Sequence, residues 1–318
     1  MIAYVLRRLL TLVPVLLVVG TVTFALLRVT PGDPAAVILG PEGTPAQVAR
    51  LGDRLGLDEP LPVQYAIWLR DLARFDLGES IFLDKPVTAA IFERAVPTLQ
   101  LALYALVLAV VIGVPAGVLA ALRPNSTLDR ALMFLALGGT AIADFFLAIL
   151  FILIFSVTLE WLPAGGYVPF RADPLGHLRS MLLPTVALGI SIAGLPARLI
   201  RATMLDILHE DYIRTAIAKG LRPSTVAVGH AFRNALVPVL TVFGYTLGDL
   251  LGGAVVVETV FRLPGMGQLA VSSIGRRDFP IIQGVVMVGA VGYLLANLLV
   301  DVITALLDPR ITDASERG

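Results

Sequence analysis

The chain has 318 residues, 57% of them hydrophobic and 15% charged, with 24 Lys and Arg balancing 24 Asp and Glu and a mean hydropathy of +0.86. It is more apolar and less charged than soluble domains, and a net charge of zero advertises no nucleic-acid surface. The absence of cysteine excludes disulfides, thiolate metal sites and thiol nucleophiles, and the spread of His177, His209 and His230 predicts no metal centre.

A membrane-spanning helix needs about 20 mostly apolar residues, each rising about 1.5 Å through a hydrocarbon layer of about 30 Å. Six stretches qualify: Leu9–Leu27, Thr98–Leu122, Leu132–Leu159, Leu182–Ile200, Ala235–Val257 and Ile281–Leu307. Arg7 and Arg8 precede the first, whose apolar run exceeds a usual signal-peptide core and lacks a clear small-residue cleavage site, so it reads as an uncleaved anchor. Residues 1–27 then form a cytoplasmic amino terminus and first span.

Residues 28–97 read as an extracytoplasmic subdomain, opening on the turn formers Pro31-Gly32-Asp33-Pro34. Two short helices follow, Pro45–Leu55 and Pro62–Phe75. The second carries Val63, Ala66, Ile67, Leu69 and Leu72 at helical spacing, with Arg70, Asp71 and Arg74 interleaved. It is either a cap packed on the bundle or a docking surface for an external receptor.

Residues 98–307 form the core, helices two to six, with a cytoplasmic tail over 308–318. The third and sixth stretches exceed the minimum length and must tilt, kink or project. In the fourth, Pro184, Gly189, Gly194 and Pro196 interrupt the pattern. The pairs Gly113/Gly117, Gly244/Gly248 and Gly248/Gly252 let helices approach closely, within the chain or at a subunit seam. Asp144 and Asp249 fall inside predicted spans, where a charge costs several kcal/mol unless it faces water or a partner. They are candidates for a translocation path, or sit near a membrane face, or pair with arginine. Asn297 and Asp301 share a helical face and predict helix-to-helix hydrogen bonds. Short segments on the amino-terminal side carry more Arg and Lys than the short opposite loops with Arg171, Arg179, Arg262, Arg276 and Arg277, placing both termini in the cytoplasm.

The most basic stretch, Arg198 to Asn234, contains the cytoplasmic coupling loop 201–234. Asp211 to Gly220 predicts a short amphipathic helix, with Tyr212, Ile213, Ala216 and Ile217 on one face and Asp211, Arg214, Thr215 and Lys219 on the other. Asp211 suits its amino end, Lys219 its carboxyl end, and Gly220 its stop. Such a helix either lies on lipid or its own bundle, or fits a groove on a soluble partner.

This stretch resembles the signature loop of binding-protein-dependent permeases of ABC importers, in the version of the peptide and nickel branch. The matching residues are Asp211 to Ala216, Ala218-Lys219-Gly220, His230-Ala231, Arg233-Asn234-Ala235 and Pro238. The resemblance spans nearly the whole chain, from Arg7-Arg8-Leu9 and Pro31-Gly32-Asp33-Pro34 through Glu258-Thr259-Val260-Phe261 and Pro264-Gly265-Met266-Gly267 to Asp308-Pro309-Arg310-Ile311. At Ala143-Asp144-Phe145 the chain lacks the proline that the family commonly places there, and with it the usual cause of a kink.

The resemblance implies an all-α integral membrane protein of six transmembrane helices, a type I ABC importer permease bundle in a bacterial-type inner membrane. It implies di- or oligopeptide cargo, with nickel complexes, glutathione or another small solute as alternatives. It also implies four partners: a second homologous permease, two cytoplasmic ATPases and an extracytoplasmic solute-binding protein. The chain lacks the Gly-x4-Gly-Lys-Ser/Thr phosphate loop, so it is expected to be no enzyme and to bind no cofactor, its partners using ATP and Mg. Tyr212, Ile213, Arg214, Ala216, Ile217 and Gly220 are the implied ATPase-coupling residues, and Pro264, Gly265 and Gly267 an implied external gate. A stand-alone secondary transporter or channel would show inverted repeats and midplane ion ligands, and a membrane enzyme a convergent catalytic cluster. Neither pattern is visible.

Overall fold

A computed structural model describes residues 2–29, 44–54, 59–80, 82–220, 229 and 232–307. The expected tail 308–318, the Pro31–Pro34 turn and the His230-Ala231 pair lie outside them. Among the described residues the only non-helical pairing is an isolated bridge, Glu79 with Pro86. The helices are α1 (Ile2–Val29), α2 (Pro45–Arg54), α3 (Leu61–Ala73), α4 (Val87–Leu122), α5 (Thr127–Ala141) and α6 (Asp144–Phe151), which continues as a π-helical segment over Ile152–Thr158. After these come α7 (Pro174–Leu208), α8 (Asp211–Ala218), α9 (Arg233–Gly253), α10 (Val255–Val260), α11 (Met266–Arg276) and α12 (Phe279–Leu307).

By length and composition four described helices can cross a membrane, namely α4, α7, α9 and α12, and a fifth crossing is the bent pair α5 and α6. The first of the six expected spans is an apolar stretch of α1, Leu10–Leu26, shorter than the other crossings. It falls at the lower end of the roughly 17–25 residues that suffice. The second crossing begins earlier than expected, because α4 runs unbroken from Val87 through Pro97. The boundary expected at residue 97 therefore lies inside a helix.

The third expected span is two helices meeting at 97°. The break forms without proline. Ile142 and Ala143 adopt extended conformations, after Gly138-Gly139-Thr140, a run of poor helix formers. Thr140 Oγ1 donates to the carbonyls of Ala136 and Leu137. Asp144 then accepts the Phe145 N–H at 2.8 Å, supplying a negative charge at the amino end of α6 where the helix dipole favours it.

The fourth expected span is present and continuous, with Pro184 and Pro196 inside the helix. α7 runs 35 residues from its cap Asp173, which accepts the Leu175 N–H, with Pro174 in the first turn. Its glycines serve contact rather than bending. A Cβ on Gly189 would stand 2.7 Å from Leu108 Cδ2, and one on Gly194 would collide with the Ala136 carbonyl of α5. In lipid, where apolar burial alone gives little drive for helices to associate, such close backbone approach supplies the packing.

The pairs Gly113/Gly117 and Gly244/Gly248 are used in the same way, while the surroundings of Gly252 in the third pair lie outside the described residues. Cβ atoms on Gly113 and Gly117 of α4 would stand 2.7 and 2.5 Å from the carbonyls of Ala193 and Ala197 in α7. On α9, Gly244 meets Val300 and Gly248 meets the Tyr293 ring of α12. Three buried clusters result. One joins α4, α6, α7 and α10 around Leu101, Met181 and Phe261, a second joins α4, α7 and α9 around Ile200 and Met204, and a third joins α4, α11 and α12 around Ile91 and Ile281. Gly248→Ala is expected to cost about 1–2 kcal/mol by forcing the Tyr293 ring aside, read as a lower thermal midpoint in detergent.

Candidate functional site

At one end of the bundle α7 stops at Leu208, and α8 begins after Glu210, whose carbonyl accepts the Ile213 N–H. Thr215 Oγ1 donates to the Asp211 carbonyl, and Gly220 follows with φ +84, a left-handed conformation that glycine adopts without strain. Tyr212 is about half exposed, its side chain 46% accessible, and its hydroxyl accepts from Asn234 Nδ2 at 3.0 Å. That bond ties α8 to the start of α9. Ile213 is wholly buried by its own chain, so in this conformation it anchors the helix rather than facing outward, contrary to its expected grouping with Tyr212. Arg214, Ala216 and Ile217 belong to α8, but their side chains lie outside the described residues. The amphipathic face therefore divides between an anchor, Ile213, and an exposed edge that includes Tyr212.

Two turns before the end of α7, Arg201 forms a bidentate pair with Asp129 in the first turn of α5. Nε donates to Oδ1 at 2.5 Å and the guanidinium NH2 to Oδ2 at 2.7 Å. The Asp129 side chain is only 3% exposed, and Oδ2 also accepts the Asn125 N–H. Ser126 caps α5 by accepting the Asp129 N–H. The Ser126-x-x-Asp129 spacing ahead of an apolar run was the legible signal for this cap; its arginine partner had none. The pair fastens the root of α8 to the bent α5–α6 helix.

The opposite end is held by a second buried carboxylate. Glu258 of α10 is 1% exposed. Its Oε1 accepts from Thr98 Oγ1 at 2.5 Å and its Oε2 from the Gln268 N–H at 3.0 Å, while Thr98 accepts the Met266 N–H. Burial pushes the Glu258 carboxyl above its ordinary range, against hydrogen bonds from Thr98, Gln268 and Gly267 that pull it back. The carboxylate thus caps the first turn of α11, where backbone amides lack partners. This is the structural place of Pro264, Gly265 and Gly267. A Cβ on Gly265 would enter the Glu258 carboxyl, and one on Gly267 would stand 2.6 Å from Val255 Cα. Asp278, also buried, accepts from Ser80 Oγ at 2.6 Å and joins the α3 side of the molecule to the α11–α12 junction.

Of the two aspartates expected in spans, Asp144 lies at the α5–α6 break and is partly exposed. Asp249 lies on an exposed line of α9 with Tyr245, which is 55% accessible one turn earlier. Among the described residues the Asp249 carboxylate has no hydrogen-bond or ion-pair partner. A charge placed so within a crossing helix must face water or another subunit. Among the described residues no cluster of three or more His, Asp or Glu side chains is placed to hold a metal ion.

Comparison with known proteins places this architecture. Residues 113–313 match the family described as the binding-protein-dependent transport system inner membrane component, and residues 1–102 match the amino-terminal region of binding-protein-dependent transport system membrane components. A Brucella abortus protein named as a peptide transport system permease is 45% identical over 311 residues, covering 98% of this chain and 99% of its own. The dipeptide transport system permease protein DppB of Alkalihalophilus pseudofirmus is 41% identical, with 98% and 99% covered. The glutathione transport system permease protein GsiC of Salmonella choleraesuis is 42% identical, with the same shares. An inward-facing structure of the MetNI methionine ABC transporter shares the fold at a TM-score of 0.57 and 20% identity, over 69% of this chain and 97% of that one.

Proposed function

This chain belongs to the family of binding-protein-dependent transport system inner membrane components, and from that premise we propose that it carries di- and oligopeptides inward. It is a permease subunit of an ABC importer, a multi-pass inner-membrane protein rather than an ATPase. Near-complete coverage at 41–45% identity with permeases named for peptides and dipeptides supports the cargo class. Glutathione, itself a small peptide, is the named cargo of a relative of similar identity.

In this reading the α8 end of the bundle is cytoplasmic and both termini lie on that side. α8 sits in a groove on one of two ATPase subunits, which use ATP and Mg, and a second homologous permease completes the pathway. A solute-binding protein delivers cargo at the opposite face. Tyr212 and Gly220, with Arg214, Ala216 and Ile217, meet the ATPase, while Ile213 fixes their mounting. Closure of the ATPase pair pushes α8, and α7 passes the movement through Arg201 and Asp129 to the bent helix. Asp249 and Asp144 line the path, where a carboxylate suits the ammonium group of a peptide. Pro264, Gly265 and Gly267, seated by Glu258, form the outer gate.

The observation that carries the coupling role is the exposed Tyr212 edge on a helix anchored through Ile213 and Asn234. Because the chain has no cysteine, single cysteines at Tyr212 or Lys219 give unambiguous cross-links. They are expected to capture an ATP-hydrolysing subunit, and Gly220→Leu to keep ATP hydrolysis while uptake falls at least tenfold. A chain that transports in vesicles alone, with no captured ATPase, is a secondary transporter instead.

A further inference from the structure

We propose that α3 is a membrane-interface helix, one face packed on α1 and the other immersed in phospholipid. Its inward face is aromatic. The Tyr65 hydroxyl shares a hydrogen bond of 2.6 Å with Thr21 Oγ1, and Phe24 meets Tyr65 edge-on at 5.3 Å and Trp68 at 5.7 Å. A Cβ on Gly20 would stand 2.7 Å from Trp68 Cη2 and 3.3 Å from Met287 Sδ of α12. The indole tip thus lies over Gly20 and beside α12.

The outward face is apolar and uncovered. Pro62, Val63, Ala66, Ile67 and Arg70 form one exposed stripe, and Val63 and Ile67 are 41% and 38% accessible. The sequence left this apolar face open between packing on the bundle and outward display; the structure turns Val63 and Ile67 outward, since Tyr65 and Trp68 take the contact with α1.

Depth decides the occupant. Thr21, Gly20 and Phe24 lie inside the apolar stretch Leu10–Leu26. Gly20 is six residues short of Leu26, roughly 9 Å of helix rise. Interfacial helices bury their apolar face about 5–10 Å into the boundary between headgroups and acyl chains. A helix bolted to α1 at this level meets lipid with any face that protein leaves uncovered. At the same level α1 itself leaves Val18, Val22 and Leu26 62%, 51% and 63% accessible, on a face turned away from its contact with α3. Tyr and Trp favour this boundary. Arg70, at the end of the stripe and paired with Asp71 at 2.9 Å, has a stem long enough to reach the headgroups.

The test uses the complete importer in phosphatidylcholine vesicles. Nitroxide labels are placed singly on Val63→Cys and Ile67→Cys, with Val18→Cys as a lipid-facing reference and Arg50→Cys, on exposed α2, as a water-facing one. Labels at 63 and 67 are expected to show a ratio of oxygen to nickel-chelate accessibility several-fold above that at 50 and close to that at 18. A ratio like that at 50 would overturn the proposal in favour of a water-facing docking surface. Loss of access to both reagents would overturn it in favour of burial against another subunit. An unlabelled Trp161→Phe variant leaves Trp68 as the sole tryptophan of this chain, which has two, and its signal is taken as the difference from an importer that also carries Trp68→Phe. The Trp68 fluorescence is expected to fall with lipids brominated near the headgroup, and no quenching would count against the proposal even if a label had disturbed the helix.

Discussion

Replacing Glu258 by alanine is expected to destabilise the chain by about 3–5 kcal/mol, read as a lowered thermal midpoint in detergent, because buried donors left without acceptors cost about 1–3 kcal/mol each. The Thr98 hydroxyl and the amides of Gly267 and Gln268 all point at that carboxyl. The alanine variant also opens a cavity among α4, α10 and α11. Glu258→Gln keeps the volume but turns an NH2 toward donors, so an intermediate loss of about 1–2 kcal/mol is expected. Gly265→Ala should resemble Glu258→Ala, since its methyl group would occupy the same space as the carboxyl. If Glu258→Ala unfolds at the parent temperature, the carboxylate is not what holds α11. Titration supplies a second reading. Burial raises the folded-state pKa of Glu258 above its ordinary value, so between those two values the folded chain binds more protons than the unfolded one. Stability then falls as pH rises through that window, and Glu258→Gln should remove this component.

The second large effect is expected at Arg201. Removing it by alanine strands the Asp129 carboxylate, which keeps only the Asn125 amide. Breaking a fully buried pair costs about 3–5 kcal/mol. Arg201 keeps 27% of its side chain exposed, so about 2–3 kcal/mol is expected here, water screening the remainder. Arg201→Lys retains charge but not the two-pronged geometry and should fall between. The functional consequence is separable from stability. In the reconstituted importer, below the variant's unfolding temperature, uptake per ATP hydrolysed is expected to fall several-fold while ATP hydrolysis persists. An unchanged ratio would mean that the pair braces α5 and α7 without transmitting movement.

Reading from sequence succeeded where one residue type has one dominant physical use. A run of about 20 apolar residues has few destinations other than lipid, and the positions of α4, α9 and α12 follow. The paired glycines at 113 and 117 foretold close approach because a missing Cβ benefits only a neighbour that comes near. The prolines and glycines of α7 do not end its helix, in keeping with its place among the six expected spans. Proline and glycine weaken a helix in isolation, but flanking helices decide whether it breaks, and here α7 runs unbroken against Leu108 of α4 and Ala136 of α5. In the third crossing the reverse happened, and the bend at Ile142 and Ala143 needed no proline.

Membrane residence, the order of crossings and the short amphipathic helix from Asp211 were determined by the sequence alone, since hydropathy and local spacing are properties of neighbours along the chain. The pairing of Asp129 with Arg201 across 72 positions and of Thr98 with Glu258 across 160 was decided only by tertiary structure. So were the inward turn of Ile213 and the outward turn of Val63 and Ile67. A buried charge chooses among distant partners by geometry, and an apolar side chain is equally satisfied by protein or lipid, so neither choice is written in the residues beside it.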